Sequence, residues 1–203
     1  MTGGAGVARR RSAVEAVLTT AGVAGPAIFV ADWAALGAIR SHYSPVNDAI
    51  SRLAETGAPT RGAMTAGFIV YGAALVAYAG SKRSGLPRTT RLLVAGTGLS
   101  TFGVAAFSLD ASGKGSIHAV FAGIGYATLA AAPLVAARAW ARNPASSPWV
   151  RASTAAGIVT AAFLIASTFA PAHGLLQRVG LTAGDAWVVA TALRALRSSP
   201  RSG

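Results

Sequence analysis

The sequence predicts an all-α fold: a polytopic transmembrane bundle of six helices, with a short amphipathic helix in the first loop outside the membrane. Two observations carry that expectation. Of 203 residues, 53% are apolar and 12% charged, against a charged share of about 25% in ordinary soluble domains. Six stretches also approach the roughly 20 residues needed to cross about 30 Å of hydrocarbon. They are expected at 14–38, 62–81, 92–109, 115–137, 152–173 and 179–196. Together they form one transmembrane domain over 12–197, between a basic N-terminus at 1–11 and a tail at 198–203.

The first span holds Glu15 near its start and Asp32 in its last third. Arg9, Arg10 and Arg11 ahead of an apolar run also suit a secretory leader. Apolar character continues past Gly25 and Pro26 into Trp33 and Leu36, which favours a retained span. In the loop that follows, Ser44 and Pro45 make a good helix start and Gly57 a stop. Val46, Ile50 and Leu53 fall on one face, with Asn47, Asp48, Ser51, Arg52 and Glu55 on the other. This spacing predicts an amphipathic helix over 45–56 lying at the outer interface. Its polar face either closes over a pocket as a lid or stays solvated, with Asp48 paired to Arg52 and Asn47 to Ser51, four apart.

The second to fifth spans carry no formally charged residue. Small residues at four-residue spacing, such as Gly96 and Ser100 or Gly123, Ala127 and Ala131, permit close helix approach, the main packing device in lipid. Trp33, Trp140, Trp149 and Trp187 lie near expected span ends, where indole anchors are common. Tyr71 and Tyr78 share a face and read as core packing. The sixth span holds Asp185.

With the N-terminus inside, thirteen of the 18 Lys and Arg fall on the inner side, Arg201 among them, and five (Arg40, Arg52, Arg61, Lys114, Arg178) on the outer. That bias predicts a multi-pass plasma-membrane protein with both termini cytoplasmic. The net charge of +12 is spread over helix ends and short loops, which excludes nucleic acid as the natural partner and points to the lipid bilayer. Oligomeric state is not written in the sequence. Zero cysteines exclude disulfides, Cys-ligated metals and a thiol nucleophile.

Asp32, Asp48, Glu55, Asp110 and Asp185, with His42, His118 and His173, fall on the outer side, and Glu15 alone among the acids on the inner. Ionisable groups near spans face the bundle interior or water and pair with one another. An outward-facing polar pocket is therefore expected, built from Asp32, His42, Ser44, Asn47, Asp48, Ser51, Arg52 and Asp185. Asp110 and His118 flank a short connection and are the candidate catalytic pair. With His173 they form a candidate site for a zinc-like divalent metal that would activate water against an ester, although the spacing matches no metal motif. The competing reading has Asp–His and Asp–Arg bonds that fix helix register. Ser44 or Ser51 with His118 or His42 as base lacks a nucleophile elbow, and Asp185 has Arg178 as an alternative partner.

The run His42-Tyr43-Ser44-Pro45-Val46-Asn47-Asp48-Ala49-Ile50-Ser51-Arg52-Leu53, followed by Gly57-Ala58-Pro59, resembles the first-loop motif of the domain of unknown function 998 family of prokaryotic membrane proteins. Phe107-Ser108-Leu109-Asp110 with His118, and Gly174-Leu175-Leu176-Gln177-Arg178, are similar to two further stretches of that family, in which proline often stands where this chain has Ser108. The resemblance implies a six-span membrane protein with no established reaction. It adds Tyr43, Gln177 and Arg178 to the pocket and puts Ser51, Asp110 and His118 among the first positions to test.

The function expected from all this is an outward-facing pocket that binds a lipid or isoprenoid head group, with modification of that group left open. A non-catalytic accessory or small-solute permeation protein is the alternative. Coupled transport is disfavoured because Pro26 and Pro171 are expected away from the membrane midplane and the inner half has few acids.

Overall fold

The computed structural model describes residues 3–198, apart from the side chains of residues 3–5, 8 and 9. Six α-helices follow in order: α1 (Gly3–Ile39), α2 (Arg61–Gly80), α3 (Arg88–Ala106), α4 (Ser116–Trp140), α5 (Ser147–Ala166) and α6 (His173–Arg197). Short 3₁₀ helices stand at Ile50–Ala54 and Pro144–Ser146, and no strand occurs among the described residues. Each helix packs on the next, and α6 returns against α1 to close the ring, touching α4 across it. One end carries the connections 40–60, 107–115 and 167–172 and is called the roof end. The other carries the beginning of α1, the end of α6 and the connections 81–87 and 141–146, and is called the terminal end.

Five of the six helices are long and apolar enough to cross a membrane, which makes this a multi-pass membrane bundle. The exception is α3, expected to be a plain span. It begins with Arg88 and Arg91 and is rich in Thr and Ser, which lowers its hydropathy. Ser100 and Thr101 each donate to the Thr97 carbonyl at 2.8 Å, so its inward hydroxyls are satisfied inside the helix.

Several expectations are corrected. The helix α1 starts at Gly3 and takes in Arg10 and Arg11, while the Arg9 side chain and the tail 199–203 with Arg201 lie outside the described residues. Pro26 sits near the middle of the apolar part Arg10–Ile39, so the argument from proline placement against transport does not hold. The helix α6 begins six residues before the expected 179, because Gln177 and Arg178, polar enough to look like loop, turn their side chains into the roof. Asp185 consequently lies midway along this 25-residue helix instead of near its outer end. Trp187 is no interfacial anchor: it is buried and donates to Ser153 Oγ at 2.8 Å.

Small residues set the helix spacing in some places and not in others. A Cβ on Gly72 would meet the Gly98 carbonyl at 2.8 Å, so α2 and α3 touch backbone to backbone there. Gly96 and Ser100 pack on Thr128 and Gly125 of α4. The row at Gly123 and Ala127 is exposed, with nothing near Gly123. Phe29 stacks on Tyr71 at 4.5 Å between ring centres, placing Tyr71 in the core, and Tyr78 is fully buried beside it.

Candidate functional site

The roof is built from the first loop, and it is not the amphipathic helix expected over 45–56. Only Ile50–Ala54 is helical, in 3₁₀ form, and Ile50, Ser51, Leu53 and Ala54 point into the bundle and are buried. Before it the chain makes a turn: Asp48 Oδ2 accepts the Ser44 N–H at 2.7 Å, and Ser44 Oγ accepts the Asn47 N–H at 3.3 Å. These side-chain caps stop the turn from propagating. The pairs Asp48–Arg52 and Asn47–Ser51 do not form. Glu55 binds Arg40 at 2.5 Å and lies 3.1 Å from Arg52 Nε, and Arg40 also donates to the Arg52 carbonyl. A buried carboxylate thus ties the end of α1 to the 3₁₀ helix.

Arg178 of α6 holds the other half of the roof. Its Nη1 donates to the carbonyls of Pro45 at 2.8 Å, Asp48 at 2.9 Å and Gly174 at 2.9 Å, and its Nη2 donates to the Tyr43 hydroxyl. The guanidinium lies 5.2 Å from the Trp33 ring centre. The ion pairs among the described residues both use Glu55, so Arg178, 6% exposed, is neutralised by carbonyl dipoles and aromatic faces in place of a carboxylate. The Tyr43 hydroxyl in turn donates to the Ala49 carbonyl at 3.2 Å. Burial pushes the Tyr43 phenol up despite the pull of the neighbouring Arg178 charge. The Leu175 N–H donates to the Val46 carbonyl at 2.9 Å, and a Cβ on Gly174 would sit 2.8 Å from Asp48 N and C. Only glycine lets the roof lie this close to α6.

Under the roof is a cavity that offers about 60 Å³ to water. A single water needs roughly 10–15 Å³ by that measure, so a small chemical group fits. The walls are mainly apolar, among them Phe29, Phe68, Val104, Phe121, Ala122 and Leu181, and the polar points include Ser51, Tyr71, His118, Tyr126 and Gln177. Among the described residues no Lys, Arg, Asp or Glu lines it. Gln177 Oε1 accepts the Ile50 N–H at 2.8 Å and its Nε2 donates to the Tyr126 hydroxyl, so one side chain joins roof, α6 and α4. His118 Nδ1 donates to the Phe107 carbonyl at 2.9 Å. Tyr71 donates to Asp185 at 2.6 Å.

The other sequence-derived site residues separate. The Asp110 carboxylate serves its own turn, accepting from Ser112 N at 2.8 Å, Ser112 Oγ at 2.7 Å and Lys114 N at 2.9 Å. Those bonds, the Ser112 hydroxyl first, hold its carboxyl below the usual aspartate range. It therefore makes no pair with His118, whose Nδ1 goes to Phe107. His173 is exposed at the start of α6 and His42 is exposed in a left-handed turn residue. Among the described residues no group of three or more His, Asp or Glu could hold a metal ion, so the candidate set Asp110, His118 and His173 is corrected. Asp185 bonds Tyr71 and not Arg178, which the roof carbonyls occupy. Asp32 stands against Gly67 of α2, away from the cavity wall, with its buried Oδ2 unpartnered.

A family model described as a protein of unknown function (DUF998) matches residues 23–194. The chain belongs to the DUF998 family. Comparison with curated proteins and with solved structures returned no match. In this DUF998 chain the matched region contains every residue of the roof and the cavity. Tyr126 was missed in the sequence although a signal existed: His118, Ala122, Gly125 and Tyr126 recur at the spacing of a single helix face, and all four line the cavity. The Phe107 carbonyl that orients His118 had no such signal, because backbone direction at a helix end is set by the turn that follows.

Proposed function

We propose that this DUF998 protein binds the head group of a lipid or isoprenoid in the cavity beneath the roof, with the roof end facing outward across the plasma membrane. The observation that carries the reading is an apolar-walled chamber with a few polar side chains, the usual make-up of a small-molecule site, set near one end of a membrane bundle. The thirteen-to-five bias of basic residues supports the orientation. A permeation path is disfavoured because Tyr71, Leu75, Tyr78 and Val188 are buried and fill the bundle below. Binding is favoured over turnover because His118 is oriented by a backbone carbonyl, and among the described residues no carboxylate or nucleophile is bonded to it.

Ala122 is half-buried on the cavity wall, and Ala122→Leu would fill the space with an isobutyl group. The test is extraction of the amphiphiles that co-purify with each form, followed by mass spectrometry. The expected result is a compound with a small polar head that accompanies the unsubstituted protein and is depleted at least tenfold in the variant. Identical profiles from two equally folded proteins would remove the cavity from the function.

A further inference from the structure

The cavity's polar groups differ in the hydrogen-bonding capacity they have left. The Tyr71 proton goes to Asp185, and the Ser100 and Thr101 protons go to a helix carbonyl. Gln177 uses its oxygen on Ile50 and one amide proton on Tyr126. His118 donates through Nδ1, and a neutral imidazole that donates at one nitrogen presents a lone pair at the other. The Val104 carbonyl is a second backbone contact of the ring, and among the described residues no hydrogen bond is made at Nε2. Tyr126 accepts from Gln177, which among the described residues leaves its own hydroxyl proton without an acceptor, and Ser51 Oγ, buried on the roof side of the cavity, makes no bond to any of them.

One strong acceptor, one phenolic donor, the second amide proton of Gln177 and one two-way hydroxyl thus remain unmet around an apolar space that, among the described residues, is lined by no fixed charge. An anionic head there would be a buried charge without a counter-ion, and a cationic head would meet no carboxylate. A hydroxyl satisfies the set, because it is a donor and an acceptor at once. We infer that the ligand carries an uncharged hydroxyl that donates to His118 Nε2 and accepts from Tyr126 or Ser51, on an apolar chain. Its class is a long-chain or isoprenoid alcohol, not the corresponding phosphate or a fatty acid. This rests on the cavity being the ligand site proposed above and names the head group that site selects.

The test uses the full-length protein in lipid nanodiscs, labelled with nitrogen-15 at histidine, and three probes of equal chain length: 1-decanol, decyl methyl ether and decanoate. Decanol is expected to move the His118 Nε2 resonance and to bind about fivefold or more tighter than the ether, the worth of one net hydrogen bond, with decanoate weaker still. In His118→Phe the preference for alcohol over ether should fall below twofold, while His118→Gln, which keeps an acceptor, should retain part of it. Equal binding of alcohol and ether, or tighter binding of decanoate, would overturn the hydroxyl assignment and leave the cavity as a ligand site. If all three probes bind Ala122→Leu as well as the unsubstituted protein, they are partitioning into the bilayer, and both the cavity reading and this inference fall together.

Discussion

Replacing Arg178 with leucine should detach the roof from α6. The substitution strips the charged donor from the Pro45 and Asp48 carbonyls and from the Tyr43 hydroxyl, whereas the Gly174 carbonyl still has the helical N–H of residue 178. Two part-buried carbonyls left short of a donor cost up to about 1–3 kcal/mol each, at most roughly 2–6 kcal/mol together. Release of the guanidinium's own desolvation and burial of a leucine side chain offset part of that. A net loss of about 2–4 kcal/mol follows, concentrated in residues 40–60. Limited trypsinolysis reads it directly, because Arg40 and Arg52 are half-buried in the roof and become cleavable when it opens. When opening is fast relative to cleavage, the rate follows the open population, so cleavage at these two sites should rise about 25- to 700-fold. Arg178→Lys keeps the charge but loses the fork that reaches several acceptors, and should fall between the two. Cleavage of Arg178→Leu at Arg40 and Arg52 within twofold of the unsubstituted protein would refute the account of Arg178 as the roof's anchor.

Two further outcomes follow from the same geometry. Asp110 has its carboxyl held below the usual range by the Ser112 and Lys114 bonds, so the ionised form stabilises the 107–115 turn above the ordinary aspartate value of 3.8, and that contribution is lost as pH falls through the lower folded value. The Ser112 and Lys114 amide resonances should therefore titrate with a midpoint below 3.8, and a midpoint at or above it would contradict the turn geometry. For orientation, a fluorescent protein fused to the C-terminus should fold and fluoresce, and alkaline phosphatase inserted in the 107–115 connection should be active. The reverse pattern would invert the proposed topology.

What the sequence could reveal depended on the range over which each signal acts. The helices of the bundle were readable from apolar runs and polar breaks, and the first-loop, Asp110 and Gln177–Arg178 stretches resembled the family that the chain proved to belong to. The error at the start of α6 came from the same source. Gln177 and Arg178 look like loop residues to any local reading, and only distant partners explain how a helix can bury them: the Ile50 N–H and Tyr126 hydroxyl for Gln177, the Pro45 and Asp48 carbonyls for Arg178. The loop at 45–56 failed in the opposite way, since its helical spacing was real while Asp48 and Ser44 capped the turn against each other and Arg178 claimed its carbonyls.

By itself, then, the sequence determined that the protein is a bundle of apolar helices, because solvation of each segment depends on its own side chains. The tertiary structure alone decided which polar groups meet. Asp110 and His118 are neighbours in sequence and have separate partners, whereas Tyr71 and Asp185, or Gln177, Ile50 and Tyr126, are far apart in the chain and bonded. A buried donor takes the acceptor that packing brings within about 3 Å, and that choice is made by how six helices close into a ring.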